Sequence, residues 1–350
     1  MRIIELLTPA YDVAWLPWAV QYFFLIGIAA TTAVTAAVLV LAGHHKGHRP
    51  ALLTAVIALL AVTAIAAPVS LLADLHQPAR FWHFYAYPAP WSWMSLGAFL
   101  LPVFVGLSCL FCLLWWLGRT AAMKVLSVLL IASAVSVLVY TGMEVMVVRS
   151  RPLWHTPFLP VNFALTGWLA ALGALWVMAR WLPAGLAGMP VVLLKRLSQA
   201  SVLLLMVCAM AWVVRGLTGS EPSFTAAIQL FEDFPVWRLG LFGSVLTGLL
   251  IGALVMLPAR LLSGYWASLM LGIIMMAAAW MFRWIIFMAV QGVPKYGAGL
   301  YLYTMPLGAD GLAGMLGMLG LCVALICGVT LLLQRFPSPL TTAAAAVGRR

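Results

Sequence analysis

Three groups of residues have types and spacings that could do chemistry. In "LLADLHQPARFWHFYAYPAPWSWMSLGAFLL" the acid Asp74 is followed by His76 and Arg80, and then by a dense aromatic run. In "VYTGMEVMVVRSRPLW" Tyr140 and Glu144 are four residues apart, so they share one helical face, with Arg149 and Arg151 just beyond. In "AAAWMFRWIIFMAVQGVPKYGAGLY" Arg283 lies about two turns inside an apolar run that ends at Gln291 and Gly292. A fourth stretch, "WLPWAVQYFF", adds Trp15, Trp18, Gln21 and Tyr22. An acid, a phenol and a cation between aromatic walls suit an amphipathic ring that carries two exchangeable oxygens, of which a quinone head group is the plainest example.

Each group also has a duller reading. Glu144 pairs with one of the nearby arginines, Arg283 forms a structural ion pair with Glu144 or Asp74, and the tryptophans and tyrosines form an interfacial belt. The belt accounts for the rings but leaves the Asp-His-Arg group in front of them unexplained.

The elements that hold these residues are membrane helices. The chain has 350 residues, 65% hydrophobic and only 8% charged, with a mean hydropathy of +1.10. So few charges cannot cover a soluble protein of this length, and apolar runs of about 20 residues recur throughout. The fold expected is an all-α polytopic membrane protein with about nine transmembrane helices. They are expected near 14–42, 52–73, 91–117, 122–148, 159–181, 190–216, 238–258, 264–290 and 311–334. Residues 1–336 then form one integral membrane domain and 337–350 a cytoplasmic tail. The first run is too long for a signal peptide and lacks a basic start, so it is read as a retained helix.

Nine spans put the termini on opposite sides. The C-terminal side collects Lys46, Arg49, Arg119, Lys124, Arg180, Lys195, Arg196, Arg260, Arg335, Arg349 and Arg350, with no acid. All eight acids fall on the other side or in helix ends facing it. The basic excess places the C-terminus in the cytoplasm of a bacterial inner membrane and the N-terminus in the periplasm. Acids contribute little to orientation, so their gathering on one face points to a functional surface there.

Composition also excludes classes. The net charge of +11 is scattered between spans, with no soluble domain to present a phosphate-binding face, so no nucleic-acid partner is expected. No haem is expected, because His44, His45, His48, His76, His83 and His155 all lie in loops or at helix ends rather than inside facing helices. No metal is expected either. The five cysteines lie in apolar runs, and the Cys109–Cys112 pair has no second pair to complete a site.

The motifs resemble the NrfD/PsrC family, membrane subunits of polysulfide reductase and related respiratory complexes. "LLADLHQPARFW" is similar to the family's D-L-G-R-P-x-R-F element and "SWMSLGAFLL" to its S-P-M-S-x-G element. "VYTGMEV" resembles its fourth-helix tyrosine element, and "FRWIIFMAVQG" its late arginine-to-glutamine element. His76-Gln77 stands where Gly-Arg is usual, and "WSWM" where Ser-Pro-Met-Ser is usual. A ninth helix and the start "WLPWAVQYFF" look like the tetrathionate reductase branch.

The resemblance implies four-helix bundles plus an extra C-terminal helix. It implies a subunit without haem or metal that binds and oxidises quinol, menaquinol or ubiquinol, near the periplasmic face. Its electrons would pass to a periplasmic ferredoxin-like iron–sulfur subunit and on to a molybdopterin catalytic subunit. By position, Asp74, Arg80, Tyr140 and Arg283 match the family's motifs. His76, Glu144, Trp18 and Gln21 join the expected site from their placement alone. A secondary transporter and a purely structural anchor are the competing classes. The transporter would place its polar groups at mid-membrane in repeated halves.

Overall fold

The computed structural model describes residues 13–43, 50–182, 185–293 and 301–340. The loop histidines His44, His45 and His48, the acids Glu5 and Asp12, and the tail from 341 lie outside them.

The chain is helical because its apolar runs leave no other way to satisfy backbone polar groups in hydrocarbon. In order the helices are α1 (Pro17–Leu41), α2 (Pro50–Asp74), the short α3 (His83–Ala86), α4 (Trp93–Trp116), α5 (Thr120–Met146), α6 (Phe158–Met178) and α7 (Val191–Leu217). They continue as α8 (Pro222–Asp233), α9 (Pro235–Met256), the short α10 (Ala259–Leu262), α11 (Tyr265–Trp284) and α12 (Leu312–Arg335). Among the described residues nine of these are long and apolar enough to cross a membrane, and each begins and ends close to a run expected from sequence. Pro17 and Pro235 open α1 and α9, where the missing N–H costs no helical bond. Gly118 (φ 71°) and Gly219 (φ 72°) sit just beyond α4 and α7 in the left-handed conformation that ends a helix.

Helix α8 was not expected. It is a 12-residue amphipathic segment that buries Ser223, Ala227 and Leu230 and leaves Glu232 and Asp233 exposed. It is too short and too polar to register as a span.

Two four-helix rings organise the bundle. α1, α2, α4 and α5 pack in a closed cycle, and α6, α7, α9 and α11 in another. α1 packs on α6 to join them, and α12 lies against α2 and α1 as the ninth helix. Small residues make the joins close, as is usual where lipid supplies no drive for helix association. A methyl group on Gly167 would fall 2.9 Å from the Gly27 carbonyl oxygen across the α1–α6 seam. One on Gly272 of α11 would fall 2.6 Å from the Gly173 oxygen of α6. α1 and α2 are the most enclosed spans, whereas α9 and α12 turn most of their surface outward, toward the lipid.

Helix α11 continues into a π-helical turn, Ile285–Ala289. Backbone oxygens there are taken up by the α5–α6 connection. The Trp154 indole donates to Ile286 O at 2.7 Å, and Arg151 donates to Val290 O at 2.7 Å and Val293 O at 2.9 Å. A wound-out turn of this kind shifts the residues after it, Gln291 above all, relative to a continuous helix.

Candidate functional site

At the end of the bundle where α1 begins and α2 finishes, the first ring encloses a cavity of about 500 Å³. The volume is that of a small-molecule site. Its polar wall is made by Tyr22 of α1, Asp74 and His76 at the end of α2, and Tyr140 and Glu144 of α5. Its apolar wall runs along one face of α4 through Met94, Gly97, Leu101 and Val105, about 16 Å at 1.5 Å per residue.

Each polar group is placed by a local feature of the sequence. Asp74 ends α2, and its carboxylate faces the backbone at Leu16 and Ala19 in the first turn of α1. The free amides and positive end of that helix favour an anion there. Pro78 opens a single 3₁₀ turn, Pro78–Arg80, and prevents α2 from continuing, which leaves His76 on a non-helical link. The four-residue spacing stacks Tyr140 over Glu144 on α5. The Tyr140 hydroxyl stands between the Glu144 carboxyl and Tyr22. Glu144 is also close enough to Asp74 to feel its charge.

Gly97 makes the room for Tyr140: a methyl group on it would fall 2.0 Å from the ring's Cζ. Pro68 of α2 and Pro102 of α4, both inside helices, line the same cavity. Two polar atoms in this wall are buried and unmatched. The Tyr22 hydroxyl, although turned toward Tyr140, makes no hydrogen bond of good geometry, and neither does Asp74 Oδ1. A buried polar atom without a partner is costly, and beside an open cavity it marks where a ligand would bond.

Of the expected site residues, Asp74, His76, Tyr140 and Glu144 come together here. Arg80 does not reach this cavity. It lines a neighbouring outer one, with His76, His83 and Tyr87. Trp18 does not line it either: it packs against α12, where a methyl group on Gly314 would fall 2.6 Å from its Cζ2. Gln21 is buried but lies outside the lining. Successive helical residues point about 100° apart, and it is Tyr22 and Phe23 rather than Gln21 that turn to this space.

Arg283 departs most from expectation. It is fully buried, but it pairs with neither Glu144 nor Asp74. Its guanidinium donates to Thr166 Oγ1 and, at 2.7 Å, to Phe163 O, both on α6. It also stands over the Phe163 and Phe282 rings, at 5.1 and 5.8 Å. The reason is helix order: α11 lies in the second ring against α6, while both acids belong to the first.

Tyr22, Gly97 and Gln291 are the residues a motif reading undervalues. Gln291 Oε1 accepts from the Ala14 and Trp15 amides, both at 3.0 Å, and its Nε2 donates to Trp15 O at 3.1 Å and Phe287 O at 2.6 Å. That is the full capacity of a carboxamide. It fixes the segment whose Trp15 lines the cavity and whose next turn faces Asp74. The available signal was a glutamine inside an apolar run, which needs partners for four hydrogen bonds.

Among the described residues no group of three or more His, Cys, Asp or Glu side chains is placed to hold a metal ion. Cys112 is occupied otherwise, its thiol lying 3.8 Å from Ile57 O.

Comparison with known proteins agrees with this architecture. The chain is 36% identical over 334 residues to the C subunit of tetrathionate reductase from Salmonella typhimurium (strain LT2), covering 93% of each protein. The model of the NrfD family (polysulphide reductase, NrfD) matches residues 6–295, which include every residue of the cavity wall. The chain is a multi-pass helical membrane protein and belongs to the NrfD family.

Proposed function

We propose that this chain is the membrane subunit of a respiratory oxidoreductase complex of the tetrathionate reductase kind, and that it oxidises quinol in the cavity at the Asp74 end. The observation that carries the reading is the pairing of two unmatched buried polar atoms, Tyr22 Oη and Asp74 Oδ1, with an apolar groove along α4. A quinol head group meets the first need and its isoprenoid tail the second.

The residues divide the work by chemistry. Tyr22 and Tyr140 orient the head group through its oxygens. Asp74 and Glu144 accept the two protons that quinol oxidation releases, and each has the lone pairs to do so at the mouth of the cavity. Both electrons leave to an iron–sulfur subunit docked at this end, and from there to a molybdopterin catalytic subunit where the terminal acceptor is reduced.

The side is argued from charge. The described basic residues Arg119, Lys124, Arg180, Lys195, Arg196, Arg260 and Arg335 lie at the opposite end of the bundle. Their excess there supports a cytoplasmic position for that end and a periplasmic one for the cavity, in a bacterial inner membrane. A secondary transporter fits less well, since the two carboxyl groups of the cavity, Asp74 and Glu144, lie at one end of the bundle rather than at mid-membrane.

The test uses membranes that contain the whole complex. Tyr140→Phe and Asp74→Asn should each lower quinol-dependent reduction of the terminal acceptor at least about tenfold, the low end of an acid–base contribution. Reduction driven by an artificial donor that bypasses quinol should persist. Full quinol-dependent turnover in both variants would place the site elsewhere. For orientation, a reporter fused after Arg350 should be active only in its cytoplasmic form.

A further inference from the structure

Beside the inner cavity lies a second, outer one of about 560 Å³. The two share a wall made by Leu75, His76, Phe81 and Phe84. Three of these four side chains are apolar and carry no exchangeable proton. Asp74 and Glu144 line the inner cavity only, and Arg80 and His83 the outer one only. His76 is therefore the titratable group common to both spaces. The link that follows Asp74, held out of helix by Pro78, puts it there. Its side chain is exposed, as a group that trades protons with water must be.

From these placements we propose that His76 is the proton exit of the inner cavity, passing protons from Asp74 to water in the outer vestibule. The proposal rests on the reading that quinol is oxidised in the inner cavity. The protonated Asp74 carboxyl gives its proton to one ring nitrogen of His76, which momentarily becomes imidazolium. The opposite nitrogen gives a proton to water or buffer in the vestibule, and the ring returns to neutral in its other tautomer. One proton moves per passage and no electrons move with it; a flip of the ring then restores the unprotonated nitrogen to the Asp74 side, so two passages clear the protons of one oxidation. Histidine suits the task because it exchanges protons near neutral pH and has a nitrogen on each side of the ring.

The groups that face His76 set its behaviour. On the inner side these are Asp74, Glu144, Tyr22, Tyr140 and Tyr85, and on the outer side Arg80, His83 and Tyr87. Arg80 holds a fixed positive charge in the vestibule.

The experiment compares His76→Gln with His76→Glu in membranes containing the whole complex. Glutamine has a similar size but cannot exchange a proton, whereas glutamate can. His76→Gln should lower quinol-dependent turnover about tenfold and flatten its pH dependence near neutrality. Imidazole added to the external buffer should restore several-fold of that loss, and His76→Glu should retain clearly more turnover than His76→Gln. Artificial-donor turnover and the affinity for a quinol-analogue inhibitor should stay within about twofold, because His76 lies after binding in the sequence of events.

Equal turnover in the two variants, or no recovery with imidazole, overturns the proposal. A loss confined to inhibitor affinity also overturns it and makes His76 a ligand contact. If Asp74→Asn is crippled while His76→Gln runs at full rate, only this proposal fails. If neither substitution affects turnover, the quinol reading fails with it.

Discussion

Helix α1 has a buried polar cluster on either side, and the two are built on opposite plans. On one side Tyr22 faces Asp74, Tyr140 and Glu144 across a cavity of about 500 Å³, and two of the polar atoms have no partner. On the other side Gly27 faces Arg283, whose two terminal nitrogens are both bonded to α6. No space remains there: a methyl group on Gly27 would fall 3.1 Å from the guanidinium. Only the Nε of Arg283 is left over. An unmatched buried polar group costs about 1–3 kcal/mol, a cost that persists in a native protein where something else supplies the partner. The cluster with open valences beside open space is the one suited to a ligand. The closely packed cluster, with no space beside its one leftover N–H, is a tie between rings.

The largest effect should come from Tyr22→Phe, which breaks this comparison most directly. The hydroxyl makes no good hydrogen bond within the protein, so removing it should leave the thermal midpoint in detergent unchanged or slightly higher. Quinol-dependent turnover should fall about tenfold, the loss of one strong hydrogen bond to the bound head group at 1.4 kcal/mol per decade. A lower midpoint with unchanged turnover would make Tyr22 a structural residue.

Gly97→Ala should follow, at about fivefold in quinol-dependent turnover. The new methyl group lands on Tyr140, whose ring must move away from the cavity; overpacking of this kind costs typically about 1–3 kcal/mol. The control is Gly142→Ala, on the same helix as Tyr140. There the methyl group would fall 2.5 Å from Pro160 Cα, so the damage should appear as lost stability. If both variants lose stability alone, Gly97 has no special relation to the site.

How much of this was legible beforehand follows from what each residue needs. Helix positions were readable because the bilayer requires about 20 apolar residues per span, and Pro and Gly mark the ends. Asp74 and Glu144 stand out because carboxyl groups are expensive in an apolar chain, and Tyr140 because it lies one turn before Glu144 on the same face. Tyr22 and Gly97 lie in stretches that drew notice, but nothing local sets Tyr22 above Trp18 or Gln21, or gives Gly97 a role beside a tyrosine of another helix. Their importance comes from which helices become neighbours, and no single run encodes that. Trp18 and Gln21 lie outside this cavity because the direction a side chain takes around α1 depends on which helices pack against it, α12 in the case of Trp18. Arg283 has other partners than the expected acids for a related reason. A buried cation demands partners, and the nearest charged ones in sequence logic were acids, whereas α6 offered a carbonyl and a hydroxyl.

Gln291→Leu should have a moderate effect, about threefold and mainly on the apparent KM for quinol. The four hydrogen bonds of the carboxamide fix Ala14 and Trp15, and with them one wall of the cavity and the turn that faces Asp74. Loosening that wall weakens binding of ground and transition states alike, which raises KM with little change in kcat. A fall in kcat at constant KM would place Gln291 closer to the proton chemistry than its contacts indicate.

The smallest effect on turnover should come from the most expensive residue. Arg283→Leu removes two charge-assisted hydrogen bonds, each contributing about 1.5–3 kcal/mol, but it also removes a cation that the interior must otherwise hold out of water. The groups left behind are not stranded completely, since Thr166 Oγ1 keeps its bond to Asn162 O at 2.5 Å. The two effects oppose each other, and a net loss of about 2–4 kcal/mol is expected, the cost of losing well-packed volume as well as the bonds. It should appear as a lower thermal midpoint and less assembled complex in the membrane. Quinol-dependent turnover per assembled complex should stay within about twofold, because the guanidinium touches neither the cavity nor the acids in it. Arg283→Lys is the sharper variant: it keeps the charge but cannot reach both Thr166 and Phe163 as a fork does, so it should lose stability as well. A tenfold loss of turnover at unchanged stability in either variant would mean that the charge of Arg283 acts on the cavity through the seam between α1 and α6, and the division between an open site and a closed tie would no longer hold.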